Sequence, residues 1–213
     1  KDRAIKLYKD IGIEINDKNY PLYDLDKIDN KTDKQKFTLK LLKNTVEWIR
    51  SVKPSQPITT GIYEWGAEWD NFEELSNLSK FILSSSDIIS FHDYGNKSSA
   101  MSRINQLSSY NRPIMCTEYL SRDNNTSGWG DDPGNTLYQF LPLFKKNKVA
   151  AYNWGFVSGK TNTIYPWKSW DSTFVNPPDK WHHDIFNSNG EPFSYEEIEF
   201  IKNLTSTAVE KNK

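Results

Sequence analysis

Arg112-Pro-Ile-Met-Cys-Thr-Glu118-Tyr119 is a short apolar segment that ends in a carboxylate. Ile114 to Cys116 have the pattern of a buried strand, and Glu118 falls where that strand would end. Enzymes with parallel sheets place their catalytic side chains at the carboxyl ends of buried strands. A purely structural role is the alternative, in which Glu118 ends the strand and pairs with Arg112 or Arg122.

Short apolar runs that end in polar or aromatic residues recur along the chain, and helical patterns lie between them. Ser194 and Glu197 form a capping-box pattern at the start of the last helix. Strands that alternate with helices predict βα units, a parallel sheet and an α/β fold. The predicted strands are residues 57–63, 87–94, 112–119 and 149–155, and the predicted helices are residues 34–52, 72–83, 98–110, 136–146 and 195–204.

Polar and aromatic residues gather at the predicted strand ends, which meet at one edge of a parallel sheet. A carboxylate flanked by aromatic rings and hydrogen-bond donors suits the cleavage of glycosidic bonds, since the ring must be oriented and its hydroxyls held. These residues are Tyr63, Glu64 and Trp65; His92 and Tyr94; Glu118 and Tyr119; and Asn153 and Trp154.

Composition narrows the function further. The chain has 213 residues, a net charge of −1, one cysteine and eight tryptophans. The interspersed charges predict no nucleic-acid partner and no membrane association. Cys116 cannot form an internal disulfide and is expected to be a buried strand residue. Because no Cys/His metal spacing and no glycine-rich phosphate loop occur, we expect no metal and no cofactor.

Taken in order, several segments resemble the cellulase-like glycoside hydrolases, family 5 and its relatives, and among them bacterial proteins labelled xylanase or cellulase-like. The resemblance covers roughly residues 45 to 204, most of the chain. The matching segments are residues 54–61, 87–94, 112–119, 151–155 with 159–167, and 183–186 with 190–193.

The resemblance implies a (β/α)₈ TIM barrel, of which this chain would form a partial barrel from strand 4 or 5 to strand 8. A single domain over residues 1–213 would then include a divergent N-terminal segment, residues 1–33. A missing N-terminal part or a second chain would complete the barrel. The resemblance also suggests a secreted or periplasmic location, although Lys1-Asp-Arg-Ala lacks the apolar core of a signal peptide.

The resemblance also assigns roles at the strand ends. Glu118 takes the position of the nucleophile of a retaining mechanism. The substrate-binding residues would be His92, Tyr94, Trp154, Asn153, Tyr119 and Trp65.

The general acid/base is the point at which the chain departs from the family. A retaining glycosidase needs a second carboxyl group about 5 Å from the nucleophile, which the family supplies in an Asn-Glu-Pro motif. The nearest candidate is Glu14, where Ile13 and Ile15 replace the flanking residues. An ordinary charged residue in an N-terminal strand is the alternative for Glu14, and Glu64 and Glu68 are further options.

The sequence therefore predicts a retaining O-glycoside hydrolase that acts on a β-linked poly- or oligosaccharide. A carbohydrate-binding domain that has lost its acid/base is the first alternative. An interaction domain, whose loop tryptophans bury against a partner chain, is the second.

Overall fold

The computed structural model describes residues 31–122 and 135–206. The structure divides into two compact units, Lys1–Ser51 and Val52–Lys213. The division lies later than the boundary at residue 33 expected from the sequence. The single domain over residues 1–213 stays a prediction.

The described part of the first unit is one long helix, α1 (Lys31–Ser51). It agrees with the helix predicted over residues 34–52, and it ends shortly before Pro54, which lacks the N–H that a helix interior needs. Throughout the described residues, no helix combines the length and the apolar character needed to span a membrane.

The second unit is built around a parallel sheet of three strands, ordered β1, β2, β3. The strands are β1 (Ile89–His92), β2 (Ile114–Glu118) and β3 (Ala150–Ala151). Four helices complete this unit in the described residues: α2 (Asn77–Ser85), α3 (Lys97–Ser108), α4 (Leu137–Lys146) and α5 (Tyr195–Ser206). The predicted α/β class and the parallel sheet are therefore confirmed.

Side-chain caps fix where the helices begin. Asn96 accepts hydrogen bonds at 3.0 Å from the backbone N–H groups of Ser98 and Ser99, which would lack partners within α3. Ser194 Oγ likewise accepts from the Glu197 N–H at 3.2 Å at the start of α5. The second half of the predicted capping box is wrong, because the Glu197 carboxylate bonds to Arg122 instead.

The core lies between the sheet and helices α3 and α4. Phe91 of β1 pairs in register with Cys116 of β2, and both side chains are fully buried. Phe140 and Phe144 extend the core from α4, which packs against α3, α5 and β3. Burial of each such aromatic side chain contributes about 1.5–3 kcal/mol, so this layer holds the sheet in place.

The predicted strand at residues 57–63 forms a single bridge instead of a ladder, in which Gly61 pairs with Ser90 in parallel. Side chains take the place of the missing ladder. Asp87 Oδ2 accepts from the Ile58 N–H at 2.8 Å, and Ser86 Oγ accepts from the Thr60 N–H at 3.1 Å. The segment therefore lies beside β1, held by residues that precede that strand.

Two other predicted elements are shorter than expected. The predicted helix over residues 72–83 splits into a 3₁₀ turn (Phe72–Glu74) and α2, because Ser76 caps a new helix between them. The predicted strand over residues 149–155 keeps only Ala150–Ala151. Gly155 has a positive φ of 84°, so the backbone turns away from the sheet there.

Candidate functional site

The register between β1 and β2 brings His92 and Glu118 side by side at the carboxyl ends of the two strands. Phe91 pairs with Cys116, and the next residue, His92, pairs with Glu118. The register therefore shifts by one residue, which leaves Thr117 without a partner residue in β1. A bulge re-aims the side chains that follow it. The polar ends of two neighbouring strands thus meet at one edge of the sheet, as predicted.

The Glu118 carboxylate has two polar neighbours on one of its oxygens. The Tyr94 hydroxyl donates a hydrogen bond to Oε2 at 3.0 Å, and His92 Nδ1 lies 3.2 Å from the same oxygen. The Glu118 side chain keeps 23% of its surface exposed. It is therefore positioned by two partners and still accessible to a ligand.

Tyr94 stays a hydrogen-bond donor at any ordinary pH. Burial raises the pKa of its phenol well above the usual range, and the negative charge of Glu118 raises it further. The phenol therefore keeps its hydrogen for the bond to Glu118 Oε2.

Arg112 and Arg122 both bond to groups other than Glu118. The Arg112 guanidinium donates to the backbone carbonyls of Leu83 and Ser86. Arg122 forms a buried bidentate pair with Glu197, at 2.8 Å from Nε and 2.6 Å from the terminal nitrogen Nη2. The alternative in which Glu118 pairs with Arg112 or Arg122 is therefore wrong.

An aromatic and histidine cluster lies behind Tyr94. Trp167 contacts the Tyr94 ring edge-to-face with centroids 5.0 Å apart, and His183 contacts it at 5.8 Å. His183 Nδ1 hydrogen-bonds to the Leu120 carbonyl oxygen, which requires the hydrogen on that nitrogen. The cluster fixes the orientation of the ring whose hydroxyl reaches Glu118.

Both histidines of the cluster are held neutral. Burial lowers the pKa of His183 to about 4 and that of His182 to about 3. In the described part of the chain, neither ring nitrogen of His182 has a hydrogen-bond partner, and its ring contacts Trp167 at 4.9 Å. A charged form without partners would be strongly disfavoured there.

Asn135 joins the segments that follow β1 and β2. Its side-chain nitrogen donates to the carbonyl oxygens of Asp93 at 2.9 Å and Gly95 at 3.1 Å, and its Oδ1 accepts from the Leu120 N–H at 3.0 Å. The side chain is fully buried. A satisfied buried amide of this kind fixes the backbone around Tyr94 relative to the end of β2.

Asp93 lies between His92 and Tyr94 but supports the turn instead of the carboxylate site. It accepts hydrogen bonds from the Gly95 N–H at 2.7 Å and from Ser99 Oγ at 3.0 Å. Burial raises its pKa to about 6 although these hydrogen bonds oppose the shift. Asp93 therefore binds the turn after β1 to the first turn of α3.

The backbone after β3 brings Trp154 next to the end of β2. The Trp154 backbone N–H donates to the Tyr119 carbonyl oxygen at 3.0 Å. Its indole is about half exposed. The Asn153 side chain donates to the Gly155 carbonyl oxygen, so its contact in the structure shapes the turn.

Gly155 completes this turn because no other residue fits. A Cβ at its position would lie 2.8 Å from both Asp184 Oδ1 and His183 Cβ. The positive φ of Gly155 also disfavours a side chain. The backbone after β3 thus packs directly against the histidine cluster.

Tyr119, predicted to bind substrate, lies in the core instead. It is 2% exposed, stacks on Phe140 with centroids 6.1 Å apart, and meets Phe144 edge-on at 5.2 Å. Successive residues of a strand point to opposite faces, so Tyr119 faces α4 when Glu118 faces the site. The prediction for Tyr119 is wrong for this reason.

Trp65 lies at a separate cavity of about 340 Å³, which is also lined by Glu64 and Glu68. Its indole N–H donates to the Tyr63 hydroxyl. Glu64 accepts from the Ser76 hydroxyl at 2.8 Å at the start of α2.

Glu68 accepts a hydrogen bond from the Gln106 side chain. Glu64 and Glu68 therefore have structural partners in this region. Glu14, the predicted acid/base, lies outside the described residues.

Trp167 and His183 are the site residues that no prediction named. Both fall in segments that match the family resemblance, and that match was the available signal. Over the two described ranges, no group of three or more His, Cys, Asp and Glu side chains could hold a metal ion.

Comparison with known proteins gives no relative from which a role could be transferred. No family model matches the chain, and no curated protein matches it. The fold and the site define an α/β protein with an accessible, positioned carboxylate at the carboxyl edge of a parallel sheet.

Proposed function

We propose that the chain is a retaining O-glycoside hydrolase that acts on a β-linked poly- or oligosaccharide, with Glu118 as the nucleophile. The observation that carries the proposal is the Glu118 carboxylate itself. It is accessible, bonded to Tyr94 and next to His92, and it lies at the edge where parallel-sheet enzymes bind substrates.

The contacts of Glu118 favour attack through one particular oxygen. Tyr94 and His92 both approach Oε2, and in the described residues Oε1 accepts no hydrogen bond. Oε1 would form a bond to the anomeric carbon while the bond from that carbon to the leaving oxygen breaks and the general acid, proposed to be Glu14, gives that oxygen a proton. Water would then hydrolyse the glycosyl ester and restore the carboxylate.

Exposed aromatic rings support a sugar as the ligand. A pyranose ring has an apolar C–H face that stacks on an indole, and Trp154 is half exposed beside the end of β2. His92, also partly exposed, can hold a sugar hydroxyl or Glu118 through its ring nitrogens.

We further propose that the three-stranded sheet is part of a (β/α)₈ barrel. Its strands are neighbours in chain order, and the Gly61 bridge adds a segment beside β1 in the same order. Glu14 remains the proposed acid/base. A further polypeptide segment or a second chain would supply the other strands.

Aryl glycosides with leaving groups of different basicity test the proposal. A nitrophenolate with a low pKa departs without a proton, so its release needs the nucleophile and not the general acid. Glu118→Gln should abolish hydrolysis of both activated and ordinary β-glycosides. Glu14→Gln should slow the first step for ordinary substrates and spare the initial burst of nitrophenolate from activated ones, while hydrolysis of the glycosyl ester slows for both.

Glu73→Gln is the matched control, because Glu73 is an exposed carboxylate paired only with Lys80 among the described residues. Its activity should equal that of the parent chain. Unchanged turnover by Glu118→Gln would remove Glu118 as the nucleophile.

Carbohydrate binding without catalysis is the second candidate function. The exposed rings Tyr152, Trp154 and Phe156 around the end of β3 favour it. It predicts calorimetric binding of β-glycan oligosaccharides, loss of binding in Trp154→Ala, and no release of reducing sugar.

A further inference from the structure

Trp170 is the most exposed tryptophan of the described residues, at 81%. It ends the 3₁₀ turn Trp167–Trp170, in which residues three apart lie on the same side. The two indoles are tilted by 44° with centroids 6.5 Å apart. Trp170 is thus held next to a packed ring while most of its own surface faces solvent.

A cavity of about 470 Å³ opens beside Trp170. This volume falls in the range of small-molecule sites. Tyr165 and Phe174 line it and contact each other edge-to-face at 5.6 Å, so its wall is packed. The cavity lies in the segment between β3 and α5, away from the strands that carry Glu118.

The polar lining of the cavity is available to a ligand. The side chains of Asn162, Asp171 and Ser172 line it and make no hydrogen bond to any other described residue. An amide, a carboxylate and a hydroxyl together can donate and accept hydrogen bonds. Among the described residues that line the cavity there is no lysine or arginine, so none of them favours an anionic ligand.

We propose that this cavity, the Trp170 pocket, is a second carbohydrate-binding site for one or two neutral sugar units. A sugar's apolar face would stack on the Trp170 indole, and Asp171 would accept from adjacent hydroxyls. The inference concerns binding and goes beyond the proposed hydrolysis.

Trp167 connects the Trp170 pocket with the Glu118 site. Its ring contacts Trp170 on one side and Tyr94 on the other, and the Tyr94 hydroxyl bonds to Glu118. A glycan long enough to cover both sites would gain contacts that a single sugar cannot make. The pocket therefore favours oligosaccharides over monosaccharides.

Calorimetry with cello-, xylo- and manno-oligosaccharides of two to six units tests the Trp170 pocket. The full chain carrying Glu118→Gln prevents turnover during the titration. In the Glu118→Gln chain, the parent for these titrations, Trp170→Ala should weaken binding of the longest oligosaccharide that binds about tenfold. Trp170→Tyr at the same position should keep most of the affinity. Trp48→Ala, a similarly exposed tryptophan of α1, is the matched control and should bind like the parent.

The proposal is overturned if no oligosaccharide binds the parent, or if Trp170→Ala binds within twofold of it. An equal loss in Trp48→Ala overturns it too. Hydrolysis of a nitrophenyl monosaccharide separates the two proposals, because it needs Glu118 and should be unchanged in Trp170→Ala alone. A failure of that hydrolysis in the unsubstituted chain contradicts the nucleophile and leaves the binding result intact.

Discussion

Glu197→Gln is expected to destabilise the second unit severely, because Glu197 forms a buried ion pair with Arg122. The Arg122–Glu197 pair is almost completely buried, with 3% and 7% of the two side chains exposed. It ties the chain just after β2 to α5. Arg122 also donates to the carbonyl oxygens of Trp181 at 3.3 Å and Asp184 at 3.0 Å.

The magnitude follows from what the substitution leaves behind. Glutamine keeps the shape and one acceptor oxygen, but the guanidinium of Arg122 becomes a buried charge without a counter-charge. Breaking a buried pair in this way costs about 3–5 kcal/mol. Because one hydrogen bond survives, we expect about 3 kcal/mol, which lowers the urea midpoint by about 1 M for a slope near 3 kcal/mol/M.

Urea unfolding followed by tryptophan fluorescence measures this loss, since Trp181 stacks on Phe193 beside the pair. Glu199→Gln is the control. Glu199 also bonds a cation, Lys202 at 2.8 Å, but both side chains are more than half exposed, so its loss should stay within about 0.5 kcal/mol. A loss below 1 kcal/mol for Glu197→Gln, or equal losses in both variants, would refute the reasoning.

The remaining predictions concern pH and the carboxylate site. The folded-state pKa of His182 and His183, about 3 and about 4, lies below the ordinary 6.5, so their stability contribution is lost as pH falls through that window. Burial raises the pKa of Asp93 from 3.8 to about 6, so the contribution of Asp93 to stability is lost as pH rises. This change offsets the effect of one of the two histidines. Chemical unfolding should therefore show stability falling about 1.4 kcal/mol per unit from pH 6 to pH 4, and Asp93→Asn should steepen the fall; a flat profile would contradict this. Tyr94→Phe keeps the ring contacts but removes the hydrogen bond to Glu118, so kcat/KM should drop tenfold or more with little change in Tm; full activity would exclude a role for the phenol.

The strand that ends in Glu118 could be predicted because its signal is local. A short apolar run with a polar end identifies β2, and the parallel order then brings His92 and Tyr94 to Glu118. The alternation of side chains along a strand could also have excluded Tyr119, since adjacent residues face opposite sides.

Contacts between distant segments could not be predicted from the sequence. Arg122 and Glu197 are 75 positions apart, and the local pattern assigned Glu197 to a helix cap. Trp167 lies in a segment without periodicity, so nothing local shows that its ring packs on Tyr94. Such placements depend on loop paths, which only tertiary packing determines.

Contacts with a distant segment also explain why the strand predicted at residues 57–63 forms only one bridge. The segment at residues 57–63 has strand-forming residues, but side chains of Ser86 and Asp87 satisfy its backbone. These hydrogen bonds join residues 29 and 26 positions apart, so the strand propensity of the segment does not report them.

Covalent trapping of Glu118 tests the central claim most directly. The reagent is a 2-deoxy-2-fluoro β-glycoside with a dinitrophenolate leaving group. The dinitrophenolate departs without protonation, and the fluorine slows hydrolysis of the glycosyl ester because it destabilises the oxocarbenium-like transition state. Mass spectrometry of the intact chain and of its peptides should show one added fluoroglycosyl group, located on Glu118 and missing from Glu118→Gln. Absence of the label, or a label on any other carboxylate, would contradict the assignment of Glu118 as the nucleophile.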